Sequence, residues 1–293
     1  MDSLFLQQVL NGLITGSVYS LIAIGLTMIF GVMKISNFAQ GDYSMVGAYT
    51  AVFVMAWVGG WLGWIGSVVA AAAVVGLLGV VTERLVFRPL MTRWTDIDMI
   101  MVSIGLFILL DNLAQLFFGA TPRMIGDPFG GATVSLGVAS TSLLRLFCFF
   151  FAGVTIACLE IFLNRSRMGV AIRATSQNRF AAQLMGININ QVYRLTFGIG
   201  ALVAGVGGVL YGTLFAIYPT MGALPTLKAF AVTILGGMGN IRGAIWGGLI
   251  LGVAEALGGN YIAMEYKQGI GFFIIILVLL VKPSGLFGRK EGA

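Results

Sequence analysis

The stretch SLFLQQVLNGLITGSVYSLIAIGLTMIFGVM, Ser3 to Met33, decides the fold. It contains no Asp, Glu, Lys or Arg. It is also longer than the roughly 20 apolar residues that carry a helix across the hydrocarbon core of a bilayer. Tyr43 to Thr82 and Leu195 to Leu227 are equally free of charge. Of the 293 residues, 58% are apolar and 10% charged, where a soluble domain carries about 25% charged residues. A membrane β-barrel would alternate apolar and polar residues in segments of about 10, and these runs do not alternate. The sequence therefore predicts an all-α, polytopic membrane bundle.

The remaining composition narrows the chemistry. A net charge of +6 comes from basic residues placed between apolar runs. They form no continuous patch, so no nucleic-acid partner is expected. Histidine is absent, which removes His metal sites, His proton relays and Ser–His catalysis. No metal site is expected. Cys148 and Cys158, ten residues apart on one span, sit about 15 Å apart on a helix, beyond disulfide reach. They read as buried apolar fillers. Met1-Asp2-Ser3 lacks a basic n-region, so no cleavable signal peptide is expected. The 42 glycines predict close helix packing and interrupted helices.

The spans read as Val9 to Gly31, Tyr43 to Trp57, Leu62 to Thr82, Met99 to Phe118, Leu143 to Leu163 and Gln191 to Ile217. A glycine-broken or re-entrant pair, Thr226 to Gly237 and Gly243 to Leu257, and a last span, Gln268 to Val281, bring the number to about 8–9. Residues 1–293 read as one transmembrane domain. Basic residues set its orientation. Arg84, Arg88 and Arg93 fall between the third and fourth spans. Arg165, Arg167, Arg173, Arg179 and Arg194 lie in the loop Asn164 to Arg194, and Lys282, Arg289 and Lys290 are in the tail. These segments hold eleven of the 17 basic residues, which places them in the cytoplasm. The N-terminus is then outside, the C-terminus cytoplasmic, and 119–142 an outer loop. Trp57, Trp61 and Trp64 fit an interfacial belt at an outer turn. The first span with the short helix after it, and the sixth span with its own short successor about 183 residues on, run in opposite directions. Opposite directions are what an inverted repeat gives; the self-similarity that any bundle of Gly-rich helices shows is the other reading.

Three stretches hold polar or glycine-rich character beside the spans. In MGVAIRATSQNRFAAQLMGININ, Met168 to Asn190, Asn178 is an N-cap and Gly186 a C′ residue around a short helix, Arg179 to Met185. Phe180 and Leu184 share one face of it, and Asn190 can cap the next span. Such a helix suits docking into a groove on a soluble partner; lying on lipid headgroups is the other reading. In AFAVTILGGMGNIRGAIWGGLILGVAE, Ala229 to Glu255, Gly236, Gly237, Gly239 and Gly243 interrupt the helix. Either a translocation path or a tight turn at the inner rim accounts for that. In ISNFAQGDYSMVGAY, Ile35 to Tyr49, Asn37, Gln40, Asp42, Tyr43 and Ser44 are polar groups beside spans. Asp42 either caps the second helix or lines a pathway. Asp111, Asn112 and Gln115 lie inside the fourth span, as an interhelical lock or as a functional site. Glu160 and Glu255 fall near span ends, where water or a nearby Arg would satisfy them.

No P-loop occurs, and Gly-Lys is absent from the chain. GxSxG, HExxH and CxxC are absent too. The chain is thus not expected to be an enzyme, and an intramembrane enzyme is the least supported reading. A stand-alone secondary transporter using Asp111 or Asp42, and a scaffold without transport, remain as alternatives.

On NFAQGDYSMVGAY, RATSQNRFAAQLMGIN and AFAVTILGGMGNIRGAIWGGLILGVAE, in matching order over nearly the whole chain, the sequence resembles the permeases of branched-chain amino-acid ABC importers. This is the LivH/LivM family, and the match is to its LivH-type half. The resemblance implies a bacterial inner-membrane permease importing branched-chain or other small amino acids by alternating access. It implies a second, LivM-type permease subunit, two cytoplasmic ATP-binding subunits carrying the ATP and Mg, and an extracytoplasmic substrate-binding protein. This chain itself would carry no cofactor. The ATPase-coupling residues would be Arg173, Gln177, Asn178, Arg179, Phe180, Ala181, Ala182, Leu184, Met185 and Gly186. The substrate path would run by Asn37, Gln40, Asp42, Tyr43, Asp111, Asn112, Gly236, Gly237 and Gly239. Many relatives have His-Gly-Glu where this chain has Gln40-Gly41-Asp42. Related permeases also serve urea and short amides, so that departure bears on the solute and leaves the architecture intact.

Overall fold

A computed structural model of the chain describes residues 2–91, 95–136, 139–261 and 267–288. Arg93, Arg289 and Lys290 of the basic segments lie outside the described residues. The helices are α1 (Asp2–Met33), α2 (Gln40–Val58), α3 (Gly60–Thr82), α4 (Asp96–Phe118), α5 (Leu143–Arg165), α6 (Arg167–Gln177), α7 (Arg179–Leu184), α8 (Ile189–Leu214), α9 (Ala223–Gly236), α10 (Ile241–Tyr261) and α11 (Lys267–Val281). Each apolar run read as a span is helical, with ends displaced by several residues. Among the described residues six helices are long and apolar enough to cross a membrane: α1, α3, α4, α5, α8 and α10. The chain is an α-helical membrane bundle.

The arrangement follows from small residues on α1 and α8, whose side chains are largely buried. α1 packs on α10 through Gly12 and Gly16 of one and Gly248 and Gly252 of the other. A methyl group on Gly16 would lie 2.6 Å from the Gly248 carbonyl oxygen. α8 packs on α2 through Gly205 against Gly47, and through Gly208 against the Ser44 backbone. Without lipid-excluding hydrophobic force, such contacts rest on van der Waals packing and interhelical hydrogen bonds. The Ser20 hydroxyl donates to the Ile245 carbonyl at 2.9 Å, and the Thr27 and Thr233 hydroxyls meet at 3.0 Å. The outward faces of α4 and α5 expose Met101, Ile108, Leu116, Phe150 and Ile161, as lipid-facing helices do.

Several local expectations are corrected. The segment after Thr82 is still helical: α3 continues through a π-helical turn, Glu83–Phe87, to Leu90, with Glu83 and Phe87 buried. The segment 119–142 contains a two-stranded hairpin, β1 (Thr133–Leu136) with β2 (Ala139–Ser142). Trp57 and Trp61 are exposed, but Trp64 is 1% exposed. It is packed between Phe147 and Phe151 with its indole N–H donating to Thr213. Cys148 is buried as expected, while Cys158 is exposed.

Candidate functional site

The loop between α5 and α8 is more ordered than its sequence first implies. Ser166 caps α6, its hydroxyl accepting from the Gly169 amide at 2.8 Å. Asn178 caps α7, its Oδ1 accepting from the Ala181 amide at 3.0 Å. Gly186 closes α7 with φ of 81°, a conformation that costs little without a Cβ. Asn188 rather than Asn190 caps α8, accepting from the Gln191 amide; α8 starts two residues earlier than the Asn190 cap required. Ala182 faces inward at 4% exposure, whereas Phe180, Leu184 and Met185 are 71%, 73% and 83% exposed. The Arg179 guanidinium lies over the Tyr193 ring and fixes the side of α7 nearest α8. Arg173 reaches the Asn164 amide oxygen at 2.8 Å, and Gln177, Asn178, Arg179, Ala181 and Gly186 are exposed.

The α9–α10 break is a tight turn. Gly237 and Gly239 have φ of 99° and 82°, and Gly236 and Gly243 pack backbone to backbone. The segment after α11 returns to clasp this turn. The Leu286 amide donates to the Leu235 carbonyl at 2.8 Å and the Phe287 amide to Gly236 at 3.3 Å. Asn240 Nδ2 donates to the Phe287 carbonyl at 2.9 Å. The last carbonyls of α9 thus find donors. Gly236 and Gly237 are buried and Gly239 exposed. Arg242 beside the turn holds Glu160 of α5 through two hydrogen bonds. Gly239, Asn240 and Arg242 help line a cavity of about 680 Å³ with Lys34, Glu160 and Arg173.

Asn37, Gln40, Asp42 and Tyr43 are all fully buried. Here the start of α2 meets the start of α9: the Gly41 amide donates to the Thr226 hydroxyl at 2.9 Å, and Gly222 packs on the Asp42 carboxylate. Gln40 Nε2 bridges the Ile22 and Gly200 carbonyls, each at 3.3 Å. Asn37 Oδ1 accepts from the Ala39 amide. Asp42 makes no capping hydrogen bond to α2, which corrects the simpler of its two readings. Asp111 is partly buried, and Asn112 is exposed with its amide donating back to the Ile108 carbonyl. None of these residues lines the cavity of about 680 Å³ beside the α9–α10 turn.

A buried ion pair went unread in the sequence. Lys228 of α9 meets Glu255 of α10, the two residues being 5% and 2% exposed. The Tyr19 hydroxyl of α1 donates to Glu255 at 3.4 Å, and Lys228 lies over the Phe272 ring of α11. Glu255 was expected near a span end with water or an Arg; α10 runs on to Tyr261 and draws it inside, onto a Lys. The signal was present: Lys228 interrupts an otherwise apolar run, and an ionisable residue within a span calls for a partner. Glu255 also lines a cavity of about 320 Å³ with Asn11, Thr15, Arg145, Leu214 and Phe215. Among the described residues no cluster of metal-ligating side chains occurs.

Apolar helices around close-packed glycines, polar groups held inside, and a capped helix turned outward with apolar side chains define a multi-pass membrane protein of the permease class. A family model described as branched-chain amino acid transport system / permease component matches residues 8–279, and the chain belongs to that family. It is 39% identical over 303 residues to the high-affinity branched-chain amino acid transport system permease protein LivH of Escherichia coli (strain K12), covering 98% of this chain and 96% of the relative. It is 37% identical to the corresponding BraD permease of Pseudomonas aeruginosa, covering 98% and 97%. It is 25% identical to the ribose import permease protein RbsC of Escherichia coli (strain K12), covering 90% and 82%. Among solved structures, PsaBC from Streptococcus pneumoniae in complex with Fab aligns with a TM-score of 0.47 and 15% identity, over 96% of this chain and 92% of that one.

Proposed function

We propose that this chain is a permease subunit of a bacterial inner-membrane ABC importer for branched-chain or other small amino acids. Family membership over residues 8–279 carries the reading. The chain does not itself hydrolyse ATP; ATP and Mg are held by two cytoplasmic ATP-binding subunits. A second, LivM-type permease lies alongside, and an extracytoplasmic binding protein delivers the solute. The start of α1 is outside and the segment after α11 cytoplasmic, as the basic residues favour. In that frame α7 is the coupling helix. Its exposed Phe180, Leu184 and Met185 support docking into an ATPase groove, since so small a face anchors poorly to lipid. Closure of the ATPases pushes α7, moves α6 and α8 with it, and rocks the bundle between outward-open and inward-open states. The 1–293 chain acts as one transmembrane domain, with 164–190 cytoplasmic and 119–142 outside.

α9 and α11, with α2, bring the proposed crossings to 8–9. The start of α2 at Gln40 and of α9 at Ala223, each after a long helix, supports an inverted repeat. The meeting of the two starts around Asn37, Gln40, Asp42 and Tyr43 makes that junction a proposed wall of the substrate path, with Asp111, Asn112 and the Gly236–Gly239 turn flanking it. Interrupted helices at a repeat interface are where transporters of this kind hold solute. The test is co-purification from mild detergent with the double variant Phe180→Asp/Leu184→Asp. P-loop ATPases and a second permease accompany the wild type, and the ATPases are lost from the variant. A wild type that purifies alone, or ATPases indifferent to the substitutions, overturns the assignment.

A further inference from the structure

We infer that the cavity at the ends of α1 and α5 and the start of α10 holds an anionic phospholipid of the cytoplasmic leaflet, its phosphodiester on Lys34 and Arg173 and an acyl chain along the apolar wall. The inference goes beyond the importer reading and rests on its orientation alone, which puts these helix ends at the inner surface. The cavity, of about 680 Å³, has a cationic rim and an apolar wall. Lys34, Arg173 and Arg242 supply the rim; Met28 of α1, Ile156 and Leu163 of α5 and Ile245 of α10 supply the wall. Basic pockets between membrane helices on the cytoplasmic side are where anionic headgroups bind.

The charges around the cavity do not balance. Glu160 takes Arg242 through two hydrogen bonds. Lys34 and Arg173 have no carboxylate partner among the described residues. Arg173 donates to the neutral Asn164 amide oxygen at 2.8 Å, and the Lys34 ammonium stands 5.6 Å from the centre of the Phe30 ring. Both cations therefore face the cavity uncompensated. Among the described residues Lys34 is also the one non-glycine residue with a positive φ, 60°. A glycine or asparagine would close α1 there at less cost. A cation suits the end of α1 through the helix dipole, but that explains neither Arg173 on α6 nor the cavity the two share. α10 begins at Ile241 on the same wall, so its amino-terminal dipole adds to the positive field. A free phosphate would answer the charges and leave the apolar wall wet. A phospholipid meets both, with phosphate at the rim and hydrocarbon against Met28, Ile156 and Ile245.

The experiment uses the whole importer in neutral detergent, with added phosphatidylglycerol or phosphatidylcholine of matched chains. Native mass spectrometry scores the lipid retained on this subunit as it is ejected from the complex. Wild type is expected to retain phosphatidylglycerol in preference to phosphatidylcholine, and excess inorganic phosphate is expected not to displace it. Lys34→Gln/Arg173→Gln is expected to weaken retention about 10–100-fold, the loss of two basic contacts to an anionic headgroup. Lys34→Arg/Arg173→Lys keeps both charges and should retain the lipid, which separates lost charge from lost fold. Arg165→Gln/Arg167→Gln removes as much charge from the same loop outside the cavity and should bind as wild type does. Equal retention of the two lipids overturns the inference, as does equal loss in the two Gln pairs. Displacement by inorganic phosphate overturns the lipid and leaves a free-anion site. Orientation is read separately, by an impermeant maleimide on Ser176→Cys, which lines the cavity, in a Cys158→Ser background. No labelling from outside intact cells is expected; labelling there overturns the orientation and with it the cytoplasmic leaflet, whatever the lipid result.

Discussion

Lys228→Met removes the cation from a carboxylate that is 2% exposed. In a bundle interior the charge cannot recover hydration, and breaking a buried pair by deleting one partner costs about 3–5 kcal/mol. At about 2–4 °C per kcal/mol for a chain of this size, the melting temperature should fall by roughly 6–20 °C. Glu255→Gln, which strands the ammonium over Phe272, should fall by a similar amount. The double variant Lys228→Met/Glu255→Gln keeps an acceptor for Tyr19 and buries no charge. It should recover most of the loss, because a neutral replacement of a buried pair is often harmless. The assay is thermal unfolding in detergent, read by a thiol-reactive dye on buried Cys148 in a Cys158→Ser background. Single variants that melt within about 2 °C of the parent, a shift worth no more than about 1 kcal/mol, would refute the reasoning. So would a double variant as unstable as the two singles summed, since the cycle would then show no coupling.

Four further outcomes follow from the geometry. Gly16→Leu drives a side chain into the Gly248 carbonyl and should cost about 1–3 kcal/mol or more. Gly105→Ala, where nothing lies within 4 Å, should be neutral or stabilising in the same melting assay. Asn178→Ala deletes the α7 cap, worth about 1 kcal/mol, and should lower solute-stimulated ATP hydrolysis while leaving the melting temperature of the bundle unchanged. Asn240→Ala removes the donor to Phe287 and the acceptor for the Gly243 amide, so chymotrypsin should cut after Phe287 several-fold faster than in the parent, measured by mass spectrometry of timed digests.

The bundle was legible because its signal is additive: charge-free runs name spans wherever they occur. The α7 helix was legible because Asn178 and Gly186 punctuate it locally. Ser166 gives α6 the same punctuation, but its many polar residues hid the helix among loop residues. The Lys228–Glu255 pair depends on two helices folding against each other, so no window of sequence contains it. The same holds for Asp42, which reads locally as a helix-start acid; its surroundings come from Gly222, far along the chain. Trp64 failed as an interfacial residue for a related reason: Phe147 and Phe151, which bury it, belong to α5.

The clasp of Leu286 and Phe287 on the end of α9 has a consequence for how the protein is made. The Leu235 carbonyl meets a donor on Leu286, and at about 5–20 residues per second the intervening chain of about fifty takes roughly 3–10 s to synthesise. Through that interval the end of α9 carries backbone oxygens that hydrocarbon will not satisfy. The helix therefore has reason to linger in a wet or proteinaceous setting, such as the translocation channel, until α10 and α11 have followed it. Insertion of the carboxyl-terminal third is on this account a concerted event, completed when the segment after α11 closes over the turn.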